Sequence, residues 1–198
     1  TVRAGVGDLV AAGVLIRRQG KGTFVARHDS HAQEFRFSNI LNSRHENIST
    51  RRTKVLMRKI RADPETAQLL RLSAGEAGMV YRIESVLEAD GKPVGLMELI
   101  LPLKLFSRLT KTDLEQSQDN LYSVYQRTCG VTVLRMEERV LARAADRDTA
   151  KALRVRPDHP ILVVERLAFT FDDRPVEIRR RSFEGLEHYY LFTHNRLD

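Results

Sequence analysis

Cysteine is nearly absent from this sequence: Cys129 stands alone among 198 residues. One thiol excludes an internal disulfide framework and fits a reducing cytoplasm. No apolar run approaches the roughly 20 residues that a membrane-spanning helix needs, and no basic-then-apolar signal segment opens the chain. Neither membrane nor secretory pathway is therefore expected. Catalytic signatures are equally scarce. There is no Gly-x-Ser-x-Gly and no evident nucleophile paired with a base. His28-x-x-His31 with Asp29 hints at a metal, but without further ligands at useful spacing it reads as a solvated linker. No metal or other cofactor is expected.

What is present is ordinary in amount and uneven in placement. Hydrophobic residues make up 42% and charged residues 30%, as in soluble globular proteins. The length suits one large domain, or one domain with a small appendage. The net charge of +7 favours an anionic partner without naming one. Residues 1–28 hold Arg3, Arg17, Arg18, Lys21 and Arg27 against Asp8, so +4 of that excess sits at the N-terminal end.

That end has a readable order. Val2, Val6, Leu9 and Val10 form a helical stripe, and Gly13 is placed to end it. Val14-Leu15-Ile16 reads as a strand, Gln19-Gly20-Lys21-Gly22 as a turn, and Thr23-Phe24-Val25 as the returning strand. A Gly-x-Gly that cradles a dinucleotide must open a helix; this one leads into a strand and lacks the Gly-Lys-Ser/Thr ending of a P-loop. A two-stranded ribbon with a basic glycine tip suits DNA instead, with its lysine and amides on phosphates or in a minor groove. The alternative is a surface hairpin with solvated charges. The unit is too small to hold a core alone, so preceding helices are expected beyond the start of this sequence.

Residues 27–36 are polar and aperiodic and read as a linker. A second domain begins near residue 37 and contains an imperfect internal repeat. RADPETAQLLRL (61–72) resembles AADRDTAKALRV (144–155), each a helix capped by aspartate and threonine. Each is followed by a β-rich run broken by a turn, over 78–102 and 161–183. Asp90-Gly91-Lys92-Pro93-Val94 matches Asp172-Asp173-Arg174-Pro175-Val176, so both runs are hairpins turned at the same place. Between them, residues 119–130 read as a helix with Leu121, Val124 and Tyr125 inward, and residues 131–142 as a strand. Helices added to an antiparallel sheet give an α+β class.

The stretch TVRAGVGDLVAAGVLIRRQGKGTFVA (1–26) resembles the second half of the winged helix-turn-helix of GntR-type transcription regulators. Residues 37–198 resemble, more loosely, the UTRA effector domain of the HutC subfamily, which has the chorismate-lyase-like fold. The resemblance implies a homodimeric repressor that releases its operator DNA when a small metabolite binds. It places DNA contacts on Thr1, Arg3, Gln19, Gly20, Lys21 and Gly22. Arg3 has the reach to contact guanine bidentately. Arg17 and Arg18 either add phosphate contacts or only flank the strand; alternation sends them to opposite faces.

The resemblance also points to an effector pocket. Phosphosugar-binding members carry an Arg-x-Arg pair where this chain has Ser85 and Leu87, so a sugar phosphate is disfavoured. Two family acids match, Glu98 and Glu177, each with a surface ion pair as its alternative. If 177–183 is a strand, Glu177, Arg179 and Arg181 share one face, and an arginine there suits a carboxylate. The alternative sends Arg179 and Arg181 to solvent, paired with acids such as Glu84 or Glu138. His188 falls where the family has a pocket tyrosine, and Asn120 near a phosphate-holding serine, where it is also a plausible cap. These positions favour a small acidic metabolite. A chorismate-lyase-like enzyme is the competing reading, and a basic hairpin on a linker argues against it. An architectural DNA-binding protein without ligand is the third.

Overall fold

The structure, a computed structural model, describes residues 2–11, 15–18, 22–25, 40–73, 78–117 and 121–191. The mixed α+β class is as expected. Helix α1 spans Val2–Ala11. Strands β1 (Leu15–Arg18) and β2 (Gly22–Val25) pair antiparallel, with Arg18 opposite Gly22. Gly22 has φ +100°, a conformation that side chains with a Cβ rarely take.

The larger unit is built on a six-stranded antiparallel sheet. Its strands are β4 (Arg51–Arg61), β5 (Met79–Ala89), β6 (Lys92–Pro102), β7 (Arg135–Ala144), β8 (Pro160–Phe169) and β9 (Pro175–Glu184), in the order β4-β5-β6-β9-β8-β7. The two hairpins of the repeat, β5–β6 and β8–β9, meet at the centre through β6 and β9. Asp90 and Gly91 both take positive φ, as a tight two-residue hairpin turn demands. The second turn is longer: Phe171–Asp173 forms a short 3-10 turn in which Asp172 and Asp173 take positive φ. The repeat extends to a register shift near each turn, at Leu87/Glu88 and at Ala168/Phe169. Strand β3 (Ile40–Asn42) pairs separately with β10 (His188–Tyr190).

Two capped helices follow the repeat as well. Helix α2 (Pro64–Leu69) starts at Asp63, whose side chain accepts from the Thr66 amide; helix α5 (Arg147–Leu153) starts at Asp146, which accepts from that of Thr149. Apolar residues on and around α5 (Ala145, Ala150, Leu153) bury against Ile161 and Val163 on one face of the sheet, hereafter the outer face. The inner face carries the main core. There Tyr81, Ile83, Leu99, Leu101 and Phe183 pack with Phe106, Leu114, Leu121 and Tyr125. Leu114 belongs to α3 (Lys111–Gln116), which opens on a reciprocal Thr110–Asp113 capping box. Leu121 belongs to α4 (Leu121–Val124), which widens into a π-helical turn, Tyr125–Cys129.

Three features depart from the expected organisation. Strand β4 reads RRTKVLMRKIR, and its cations obscure the alternation; a register shift between Thr53 and Leu56, where Lys54 takes φ 52°, interrupts it too. Arg52 of β4 is buried. It donates to Leu114 O at 3.1 Å and to Ser117 Oγ at 2.6 Å, a cation at the C-terminal end of α3. Strand β7 begins at Arg135, not at residue 131; Val131 and Val133 are buried in the core outside the ladder. The helix expected over 119–130 lies in α4 and the π-turn, with Leu121, Val124 and Tyr125 inward as expected.

Candidate functional site

Strand alternation decides what the hairpins present. In β9, Glu177, Arg179 and Arg181 turn to the inner face and are 0%, 6% and 7% exposed, while Arg180 turns outward and its side chain is half exposed. The register sets Arg179 between Leu99 of β6 and Arg166 of β8, and Arg181 between Met97 and Val164. Ser85 of β5 lies beyond Met97 in the same row. Glu138 of β7 lies beyond Arg166 in the row of Arg179.

These side chains form one polar cluster inside an apolar core. Arg179 Nη2 donates to Glu177 Oε2 at 2.8 Å. Tyr125 OH donates to the same oxygen at 2.7 Å, and Tyr122 OH to Oε1 at 3.1 Å. Arg166 Nη1 donates to the Tyr122 hydroxyl at 3.1 Å, and its Nε to Glu138 Oε1 at 2.8 Å. Tyr190 OH donates to the other oxygen of Glu138. The guanidinium of Arg179 also stacks 4.9 Å from the Tyr122 ring centre. Three polar atoms are left over. Ser85 Oγ, Arg179 Nε and Arg181 Nη2 are buried with no hydrogen-bond partner. Arg181 Nη2 is 3.7 Å from Glu138 Oε1, too far for a hydrogen bond.

The electrostatics follow the partners. Burial pushes the Glu177 carboxyl up, but Arg179, Tyr125 and Arg166 outweigh it, so it is held below its ordinary value. Burial lowers Arg179, and Glu177 more than reverses that. Tyr125 is raised well above its usual range, by burial first and the Glu177 charge second. Arg181 goes the other way. Burial, then Arg166 and Arg179, push it down to about 9, still protonated at neutral pH.

The sequence-derived candidates divide. Glu177, Arg179, Arg181 and Ser85 are brought together. The solvent-facing alternative for the two arginines does not hold, although Glu138 is indeed the acid beside Arg181. Glu98 is a correction: its phase in β6 is the outer one, opposite Arg180, and it pairs with Arg82 at 2.7 Å. It lines an open outer cleft of about 690 Å³ and does not share the cluster with Glu177. His188 Nδ1 lies 2.9 Å from the Glu184 carbonyl, and its ring is tilted against Phe183, beside Arg181 on the inner face. Asn120 lies outside the described residues, as do Thr1, Gln19, Gly20, Lys21, His28, Asp29 and His31. Arg3 falls in the first turn of α1, Arg17 within β1 opposite Thr23, and Gly22 opens β2. No cluster of metal-ligating side chains occurs among the described residues.

Sequence reasoning missed Arg166, Tyr122 and Tyr190. Arg166 had a signal: in ILVVERLAF it occupies the buried phase shared with Val164 and Ala168. Tyr122 precedes Tyr125 by three residues, the spacing of one helical face.

The UTRA domain model matches residues 46–188. The chain belongs to the UTRA-domain family of GntR-type transcriptional regulators. Among solved structures, the ligand-binding domain of a GntR-family regulator from Bordetella bronchiseptica is similar at 32% identity. That match covers 80% of this chain and 98% of that one, with a TM-score of 0.71. PhnF of Mycobacterium smegmatis is similar in fold, with a TM-score of 0.65 at 24% identity over 98% of this chain and 84% of that one. Among curated proteins, the probable fructoselysine utilization operon repressor of Escherichia coli K12 is 27% identical over 90% of this chain and 72% of its own length. In UTRA-domain terms, the cluster lies between the two hairpins on the face covered by α4 and its π-turn. These relatives are named regulators or repressors, not enzymes.

Proposed function

We propose that the chain acts as a DNA-binding transcriptional repressor whose operator is released when a small acidic metabolite occupies the inner-face cluster. Residues 37–198 serve as effector and dimerisation domain, residues 27–36 as linker, and residues 1–26 as part of the winged helix. Thr1, Arg3, Arg17, Gln19, Gly20, Lys21 and Gly22 contact the operator, and the protein works in the cytoplasm as a homodimer. Tyr122, Glu177, Arg166, Arg179, Arg181 and Ser85 form the effector site, with His188 at its margin, and Asn120 is a further candidate contact. The observation that carries this reading is the set of buried polar atoms without partners. Such atoms are costly in a finished core, and a ligand satisfies them.

The test is release of a selected operator, followed by fluorescence anisotropy against a panel of small organic acids. Arg179→Ala is expected to abolish release while DNA binding persists, at a cost of roughly 1.5–3 kcal/mol of effector affinity. Lys21→Ala should weaken binding to all sequences, and Arg3→Ala should also relax specificity. Light scattering should give a dimer mass for the 198-residue chain. An Arg179→Ala protein that still responds at the wild-type effector concentration sinks the site assignment.

A further inference from the structure

The cluster has a charge imbalance. Among the described residues, three guanidiniums (Arg166, Arg179, Arg181) face two carboxylates (Glu138, Glu177). The hydroxyl groups facing them are those of Tyr122, Tyr125 and Tyr190, and the Phe183 ring, against which His188 tilts, lies 5.8 Å from the Arg181 guanidinium. Glu177 is committed to Arg179 and Glu138 to Arg166, so the uncompensated positive charge rests on Arg181. A buried charge without a hydrogen-bonded partner is strongly unfavourable and is not kept for stability.

Its count also limits what it can meet. One surplus cation is neutralised by one anionic charge. A phosphate monoester carries close to two at neutral pH, which would leave a buried negative surplus. On the inner face, strand β5, on the opposite side of β6, offers Ser85 and the buried apolar Leu87, and no cation; its Arg82 pairs with Glu98 on the outer face. The two open nitrogens, Arg181 Nη2 and Arg179 Nε, come from adjacent inward positions of one strand. Ser85 Oγ, two strands away across Met97, is open to a hydroxyl, carbonyl or amine.

Resting on the reading of this cluster as the effector site, we propose that Arg181 sets its anion specificity. The effector is then a small monocarboxylate, its carboxylate on Arg181 and Arg179 and a second polar group near Ser85, and not a phosphate ester. In the free protein Arg181 is a stability defect that the ligand repairs.

The experiment is thermal unfolding of the 198-residue chain at neutral pH and constant ionic strength. The probes are glycolate, lactate, benzoate and nicotinate, against inorganic phosphate and glycerol phosphate. At least one monocarboxylate should raise the midpoint saturably, by roughly 5 °C or more at about 100 times its Kd; the phosphates should not. Arg181→Met keeps the volume and removes the charge. It should raise the midpoint of the free protein and erase the carboxylate response. Arg181→Lys keeps the charge but loses the fork, so it should keep the low midpoint and weaken the response.

A pH series adds an independent readout. Burial, with Arg166 and Arg179 nearby, brings the folded-state value of Arg181 well below its ordinary one, to about 9. The destabilisation is therefore full below about 9 and fades as pH rises through that value. The advantage of Arg181→Met over the wild type should narrow over the same range. Phosphates stabilising as well as carboxylates would overturn the anion class while leaving the site intact. If no anion of either kind shifts the midpoint, the effector-site reading falls with it. A fall in the free-protein midpoint for Arg181→Met, or a loss of fold while Arg181→Lys binds normally, would show that Arg181 holds the structure and would overturn the proposal.

Discussion

The hairpins β5–β6 and β8–β9 share capped helices, positive-φ turns and register shifts, yet their inner faces differ. The first presents Tyr81, Ile83, Leu87, Met97, Leu99 and Leu101, with Ser85 its one polar side chain. The second presents Arg166, Glu177, Arg179 and Arg181. Backbone devices repeat because both hairpins must turn, bend and pack in the same way. Side chains on one face are free to diverge once the frame is set. The frame is thus the symmetric part of the domain and the site its asymmetric part.

The comparison can be broken most severely at Glu177. Three donors converge on its carboxylate, so Glu177→Ala strands buried charge and should cost about 3–5 kcal/mol in urea unfolding. Adding Arg179→Met to that variant should recover part of the loss, which a double-mutant cycle would reveal as coupling. Leu99→Ala, in the apolar hairpin, should cost about 2–5 kcal/mol through a cavity, and there no second substitution of a neighbour should recover it. The shared frame predicts equality: Asp63→Ala and Asp146→Ala should each lower the melting temperature by a similar amount, roughly 2–4 °C. Smallest is the outer face. Arg139 and Glu165 pair at 2.6 Å with the arginine exposed, and Arg139→Ala should change stability by about 0.5 kcal/mol or less.

The frame was legible because its signals are local. Asp-x-x-Thr caps and paired Asp-x-x-Pro-Val turns are written within a few residues. Strand β4 was not legible, since five of its 11 residues are exposed lysine or arginine. The site was half legible. Alternation alone puts Glu177, Arg179 and Arg181 on one face, but position alone does not separate Glu177, inside the cluster, from Glu98, outside it. That Glu98 points outward depends on its strand phase, which the inward Leu99 and Leu101 decide. Tyr122 and Tyr190 meet the site only through tertiary packing, across separations of 55 and 52 residues, whereas Arg166 stands opposite Arg179 in the hairpin register.

The placement of those β4 cations has a consequence of its own. An open sheet ends in two strands with unpaired backbone groups, which invite further strands from other molecules. Here the rims are β4 and β7. Arg51, Lys54, Arg58, Lys59 and Arg61 stand exposed on one, and Arg135, Arg139 and Arg143 on the other. A strand docking on the β4 rim would meet that row of exposed cations at a strand spacing, about 4.8 Å, whereas on β7 the arginines alternate with Glu137 and pair with Glu137, Asp173 and Glu165. The β4 cations thus blunt that edge against edgewise growth into fibrils, and leave the faces and helices as the surfaces through which copies can meet.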